Sequence, residues 1–167
     1  LVGSEMCIRD RPMFVDVVNV TSAADMADVV KSKAAEQDII IMTAAVADFC
    51  PSHPADEKIK KNDSSYESVI ELERTEDILS YLGAHKAKGQ LICGFSMETQ
   101  NMLENSKAKL AKKNADMIVA NNLKVAGAGF GTDTNVVTLI TADDCTELEI
   151  MDKSCVAARI MDRLLKM

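Results

Sequence analysis

Asp48 stands at the end of an apolar run, and Lys58, Lys60 and Lys61 follow it in the stretch AAVADFCPSHPADEKIKK (44–61). A carboxylate at a strand end can accept hydrogen bonds from a sugar hydroxyl, as acids do in nucleotide-binding folds. It can equally cap a turn. Lysines in a loop can close over a phosphate and supply charge where it develops during transfer; they can also form a plain solvated run. A second cationic group comprises Lys107, Lys109, Lys112 and Lys113. Lys109 and Lys113 are spaced to share one helix face, where like charges repel. An anion such as a triphosphate between them would relieve that cost. The competing reading is a solvated basic helix end favoured by the dipole. Ala44 and Ala45 leave room for a ligand near the backbone, and Phe95 ends another apolar run, either as core or as a face for a base. Glu98 fits a helix-start acid.

These residues need a scaffold that gathers them. MFVDVVNV (13–20) is β-branched and reads as a strand. Residues 21–37 read as a helix, with Thr21 and Ser22 as candidate caps. DIIIMTAAVAD (38–48) reads as a strand covered on both faces. ESVIELER (67–74) follows as a strand, 75–89 as a helix capped by Thr75 and stopped near Gly89, and 90–98 as a strand. A helix over 99–114, a strand over 115–122 and a glycine-rich loop over 123–135 come next. Segments 136–141 and 146–150 read as a strand pair across ADDC, and 152–167 as a helix with Val156, Ile160, Leu164 and Met167 on one side. Strands alternating with helices predict a single α/β domain, doubly wound and Rossmann-like. Its sheet is expected to be mostly parallel with an antiparallel edge pair. Ligands of such folds bind outside the carboxyl ends of the strands, where these residues fall. The loop Pro51, Ser52 and Pro54 suit an irregular flap.

The chain has 167 residues, 47% hydrophobic and 27% charged, with a formal net charge of −7. That balance argues against general nucleic-acid binding but leaves room for a local cationic pocket. No apolar run approaches the ~20 residues that span a bilayer. Five scattered cysteines without a C-x-x-C pair suit a reducing cytoplasm better than a disulfide framework or zinc site. Neither standard phosphate-loop motif is present. Residues 1–12, LVGSEMCIRDRP, fit no downstream pattern, and SEMCIRDR resembles translated sequencing-adapter read-through. They are expected to be a non-native or disordered tail, with the domain proper at 13–167.

The ordered segments AAVADF, EKIKK, GFSMET, KNADMIVAN and GFGTDTN resemble phosphopantothenate–cysteine ligase, the synthetase half of the bacterial bifunctional coenzyme A biosynthesis protein. The likeness runs from about Val15 to Leu165. It implies that 4′-phosphopantothenate is activated by CTP, with Mg²⁺ assisting, to an acyl-cytidylate from which L-cysteine displaces CMP. It implies nucleotide contacts from Met42, Thr43 and Ala44, with Asp48 holding CTP and Lys58 as the catalytic flap lysine. It further implies contacts from Glu76, Asp77, Ile78 and Leu79, cytosine recognition at Phe95, and phosphate binding by Lys109 and Lys113. No protein metal ligands follow from it. A homodimer and fusion to a decarboxylase that carries FMN are implied too.

The family usually reads PDI where this chain reads EDI (76–78). Its glycine-rich first strand–helix unit and ISN-type asparagine have no counterpart here, nor does the decarboxylase half. The expectation is a poorly active or inactive fragment. The alternatives are a nucleotide-binding module without catalysis and an NAD(P)-dependent oxidoreductase.

Overall fold

Ser22 opens the first helix because its hydroxyl accepts from the Asp25 N–H at 3.0 Å while the Asp25 carboxylate accepts from the Ser22 N–H at 3.0 Å. This reciprocal box satisfies two donors that a helix start leaves orphaned. The structure is a computed structural model describing residues 14–55, 57–58, 69–97, 101–122, 125, 129 and 131–167. In chain order the first elements are α1 (Ala23–Ala34), β1 (Ile39–Met42), β2 (Phe49–Pro51), β3 (Leu72–Arg74), α2 (Ile78–Ala84) and β4 (Leu91–Met97). They are followed by α3 (Met102–Lys113), β5 (Met117–Asn121), β6 (Thr134–Asn135), β7 (Val137–Ile140), β8 (Cys145–Glu147), β9 (Met151–Asp152) and α4 (Lys153–Leu164).

The main sheet runs β1-β4-β5-β7-β8. β1, β4 and β5 are parallel, and β7 and β8 extend the sheet antiparallel. The α/β class and the antiparallel edge pair are therefore as the alternation of patterns predicted. Strand period two sorts the core into two layers. Ile40, Met42 and Ile92 face Ala27 of α1 and Ile78 and Leu82 of α2. Cys93, Met117, Val119, Val137 and Leu139 face Val156, Ile160 and Leu164 of α4. Helices thus cover both faces. None of the described helices is long and apolar enough to cross a membrane.

Several expected boundaries moved. Residues 14–20 form no strand: Phe14 takes a left-handed φ of 65°, and Val15, Val17 and Val18 are exposed. β-branched residues favour a pleated surface, but a strand also needs a neighbour to complete its ladder. The run 38–48 pairs only over Ile39–Met42, because β1 leaves β4 after Gly94. Pro51, expected in an irregular loop, lies in β2, whose ribbon with β3 spans Phe49–Pro51 and Leu72–Arg74. Thr75 does not cap α2; Asp77 does, accepting from the Ser80 N–H at 2.9 Å. Met167 is exposed rather than part of the buried stripe of α4. The small pair β6 and β9 has no counterpart among the expected elements. The tail 1–12, Lys60, Lys61, Glu98 and parts of the expected segments 67–74 and 123–135 lie outside the described residues.

The thiols provide a direct check on the core. Burial pushes the Cys93 thiol up to about 12, and the nearby Asp116 charge adds to the effect. Cys145 and Cys155 are exposed. Because the thiolate is the reactive form, alkylation of the native protein at about pH 8 should label Cys145 and Cys155 and spare Cys93. Peptide mass spectrometry reads the result. Equal labelling of Cys93 before denaturation would contradict the packing.

Candidate functional site

The site opens where β1 parts from β4. Past Met42 the chain swings away as 43–48, and a cavity of about 170 Å³ lies between it, the end of β4, the entry to α2 and one face of α3. Thr75 fastens the entry. Its N–H donates to the Asp48 carbonyl at 3.0 Å and its hydroxyl donates to the Ala47 carbonyl. The loop after β1 and the start of α2 are thereby held together as one wall.

Ten of the twelve sequence-derived candidates line this cavity. Met42, Ala44 and Asp48 come from β1 and the loop after it, and Glu76, Asp77, Ile78 and Leu79 from the entry to α2. Phe95 comes from β4, and Lys109 and Lys113 from α3. Thr43 is exposed and outside the lining, and so is Lys58. Val46, Ala47 and Thr75 line it too, although the sequence suggested no site role for them.

Helical Cβ atoms lean toward the N-terminus, so lysines late in α3 reach back toward the cavity. The Lys109 ammonium donates to the Phe95 carbonyl at 2.8 Å. The Lys113 ammonium donates to the Asp77 carboxylate and, at 3.0 Å, to the Ser80 hydroxyl. An external anion is therefore not needed to offset repulsion between the two lysines, as their spacing alone suggested; the protein supplies acceptors. Burial works against the charge on Asp77, but the Lys113 ammonium and the Ser80 N–H outweigh it and hold the carboxyl below its ordinary 3.8. A folded value below the unfolded one means that the pair adds stability above that ordinary value and loses it as the pH falls further. Asp77 is half exposed, so the contribution is small.

Glu76 is tied from outside the cavity. Lys31 of α1 donates to its carboxylate at 2.7 Å, and the Lys31 ammonium also sits 5.5 Å from the centroid of the Tyr81 ring. The Asp48 carboxylate is exposed and makes no side-chain hydrogen bond among the described residues. Among the described residues no three His, Cys, Asp or Glu side chains gather to hold a metal.

Across residues 1–167 the sequence matches the family described as DNA/pantothenate metabolism flavoprotein C-terminal domain. The chain belongs to that family. The coenzyme A biosynthesis bifunctional protein CoaBC of Bacillus subtilis (strain 168) is 46% identical over 165 residues, covering 98% of this chain and 40% of the relative. A cysteine/cysteine sulfinic acid decarboxylase of an unknown prokaryotic organism is 43% identical over 166 residues, 99% of this chain and 46% of the relative. The crystal structure of the C-terminal domain of a CoaBC superposes with a TM-score of 0.75 at 41% identity, covering 95% of this chain and 70% of that one. This flavoprotein C-terminal domain thus spans less than half the length of the two curated relatives.

Two features of the domain's site carried a sequence signal that went unused. Gly83 sits inside a helical pattern, where glycine costs ~1 kcal/mol against alanine and usually marks a close approach. Gly94 interrupts the apolar strand LICGFSM; a Cβ there would lie 2.6 Å from a Leu79 methyl, so its absence lets Leu79 pack at the cavity wall. The Lys31–Glu76 tie carried no signal, because its partners lie 45 residues apart.

Proposed function

We propose that this domain is the ligase that joins 4′-phosphopantothenate to L-cysteine through an acyl-cytidylate made with CTP. The supporting observation is the convergence of Asp48, Phe95, Lys109 and Lys113, from separate elements, on one cavity at the carboxyl end of β1 and β4. In the first step a substrate carboxylate oxygen attacks the α-phosphorus of CTP, and pyrophosphate leaves. In the second the cysteine amine attacks the acyl carbon, gives up a proton, and CMP departs with the bonding pair. Neither step requires a protein nucleophile. What the protein must supply is orientation and charge where phosphoryl oxygens become more negative.

The residues divide accordingly. Asp48 accepts from the ribose, Phe95 borders the base, and Met42, Thr43 and Ala44 offer backbone groups. Residues 76–79 border the nucleotide at the entry to α2, and Lys109 and Lys113 meet the phosphates. Lys58 supplies further positive charge from the connection that leaves the cavity rim through β2. A Mg²⁺ bound to CTP would neutralise part of the phosphoryl charge. A homodimer, a cytoplasmic setting and fusion to an FMN-dependent decarboxylase in the whole protein belong to the same reading.

Calorimetric titration of CTP, ATP and NAD in the presence of Mg²⁺ tests it. CTP should bind at least about tenfold tighter than ATP, a difference of ~1.4 kcal/mol, and NAD should not compete. Tighter binding of NAD than of CTP, or no CTP-dependent CMP release from the whole protein with 4′-phosphopantothenate and cysteine, would overturn the assignment.

A further inference from the structure

The cavity lining is not cationic. Two ammonium groups, Lys109 and Lys113, share it with three carboxylates, Asp48, Glu76 and Asp77. Glu76 is balanced from outside by Lys31. Asp77 is not outside: it is bound to one of the two lysines that would meet a phosphate. The Lys113 side chain is 13% exposed and the Asp77 side chain 50%, so the cation is the more desolvated partner and the anion the more solvent-exposed one. Nor can the anion readily swing away. Its Oδ1 accepts from the Ser80 N–H at 2.9 Å and caps α2, so moving it would uncap the helix. An incoming polyanion therefore meets Lys113 together with a fixed negative charge.

We propose that Asp77 is a specificity-determining residue that biases the cavity against metal-free polyphosphate and toward the divalent-cation complex. The proposal rests on reading the cavity as a triphosphate pocket. Coulomb repulsion scales with the product of the charges. A divalent cation cancels two charges of the ligand, so one fixed carboxylate penalises the free polyanion more than the complex. By the same scaling Lys109 and Lys113 attract the free polyanion more than the complex, and the Asp77 charge opposes that preference.

The test uses calorimetry on the full chain, with CTP and with inorganic tripolyphosphate, each in EDTA and in excess Mg²⁺. Asp77→Asn retains an oxygen acceptor of good capping quality while deleting the charge. Asp77→Ser does the same with a different side chain and guards against an effect peculiar to the amide. Both variants should bind the metal-free ligands about tenfold more tightly than the parent, and the Mg²⁺ complexes only about threefold more tightly. Unchanged or weaker metal-free binding in both variants would overturn the proposal, as would equal tightening of the two forms. If the shift appears with tripolyphosphate but CTP does not outbind ATP, the charge role of Asp77 stands and the cytidine reading falls. If none of the three proteins binds any polyphosphate, both fall.

Discussion

Gly83→Ala should lower the stability of this domain by about 3 kcal/mol, although alanine is the better helix former by ~1 kcal/mol. Gly83 lies in α2 against the end of α3. A Cβ at this position would sit 1.8 Å from the Lys113 carbonyl oxygen and 2.8 Å from the Lys113 carbonyl carbon. Both are backbone atoms, so no rotamer change relieves the contact. The two helix ends are also clamped: the Asn114 side-chain amide donates to the Gly83 carbonyl at 2.7 Å, and Asn114 itself takes a left-handed φ of 49°. Adding a methyl group must push α2 and α3 apart or break the clamp. For a chain of this size the expected loss is roughly 6–12 °C in Tm. Because the displaced residue is Lys113, CTP affinity should fall as well. An unchanged or higher Tm for the variant would show that the helices are not in the close contact described. Leu82→Ala, one residue away and buried, gives the scale of ordinary core loss, ~2–5 kcal/mol.

Gly83 also shows where sequence reading stops. Its presence inside a helical pattern is visible in the sequence; what it touches, 30 residues away, is not. The same contrast recurs across the molecule. The apolar period of β4 and β5 and the Ser22 cap are local signals, and local physics decides them. The segment 14–20 carries an equally good local signal and fails, because pairing depends on a neighbour that no window of sequence contains. Thr75 and Asp77 are both competent caps two residues apart. The loop after β1 decides between them by taking the Thr75 hydroxyl for the Ala47 carbonyl. The candidate site was more legible than its chemistry. Rules for strand ends and helix faces reached Ala44, Asp48, Phe95, Lys109 and Lys113, since topology brings β-strand termini to one edge, whereas Met42 and residues 76–79 followed only from the family resemblance. The pairings Lys113–Asp77 and Lys31–Glu76 were not legible, since each joins side chains from different helices or helix ends.

Those pairings shape the other large effect. Lys113→Met should weaken CTP binding by about 2–3 kcal/mol, roughly 30- to 150-fold, the scale for hydrogen bonds made by a charged group. The ammonium is held on a mostly buried side chain and aimed at the cavity by Asp77 and the Ser80 hydroxyl. Methionine keeps the buried aliphatic stem, so packing of α3 on α2 should survive. Asp77 still caps α2 in the variant and is half exposed, so the cost in stability should stay below about 1 kcal/mol. A large loss of affinity with an almost unchanged Tm is the expected signature, measured by calorimetry and thermal melting on the same preparation. Wild-type affinity in the variant would remove Lys113 from the binding machinery. Combining Lys113→Met with Asp77→Asn sharpens the result. Residues in direct contact couple, and their effects fail to add. If Asp77 acts mainly by occupying Lys113, its removal should help metal-free CTP far less once the lysine is gone. If it acts by repulsion through space, the gain should persist undiminished.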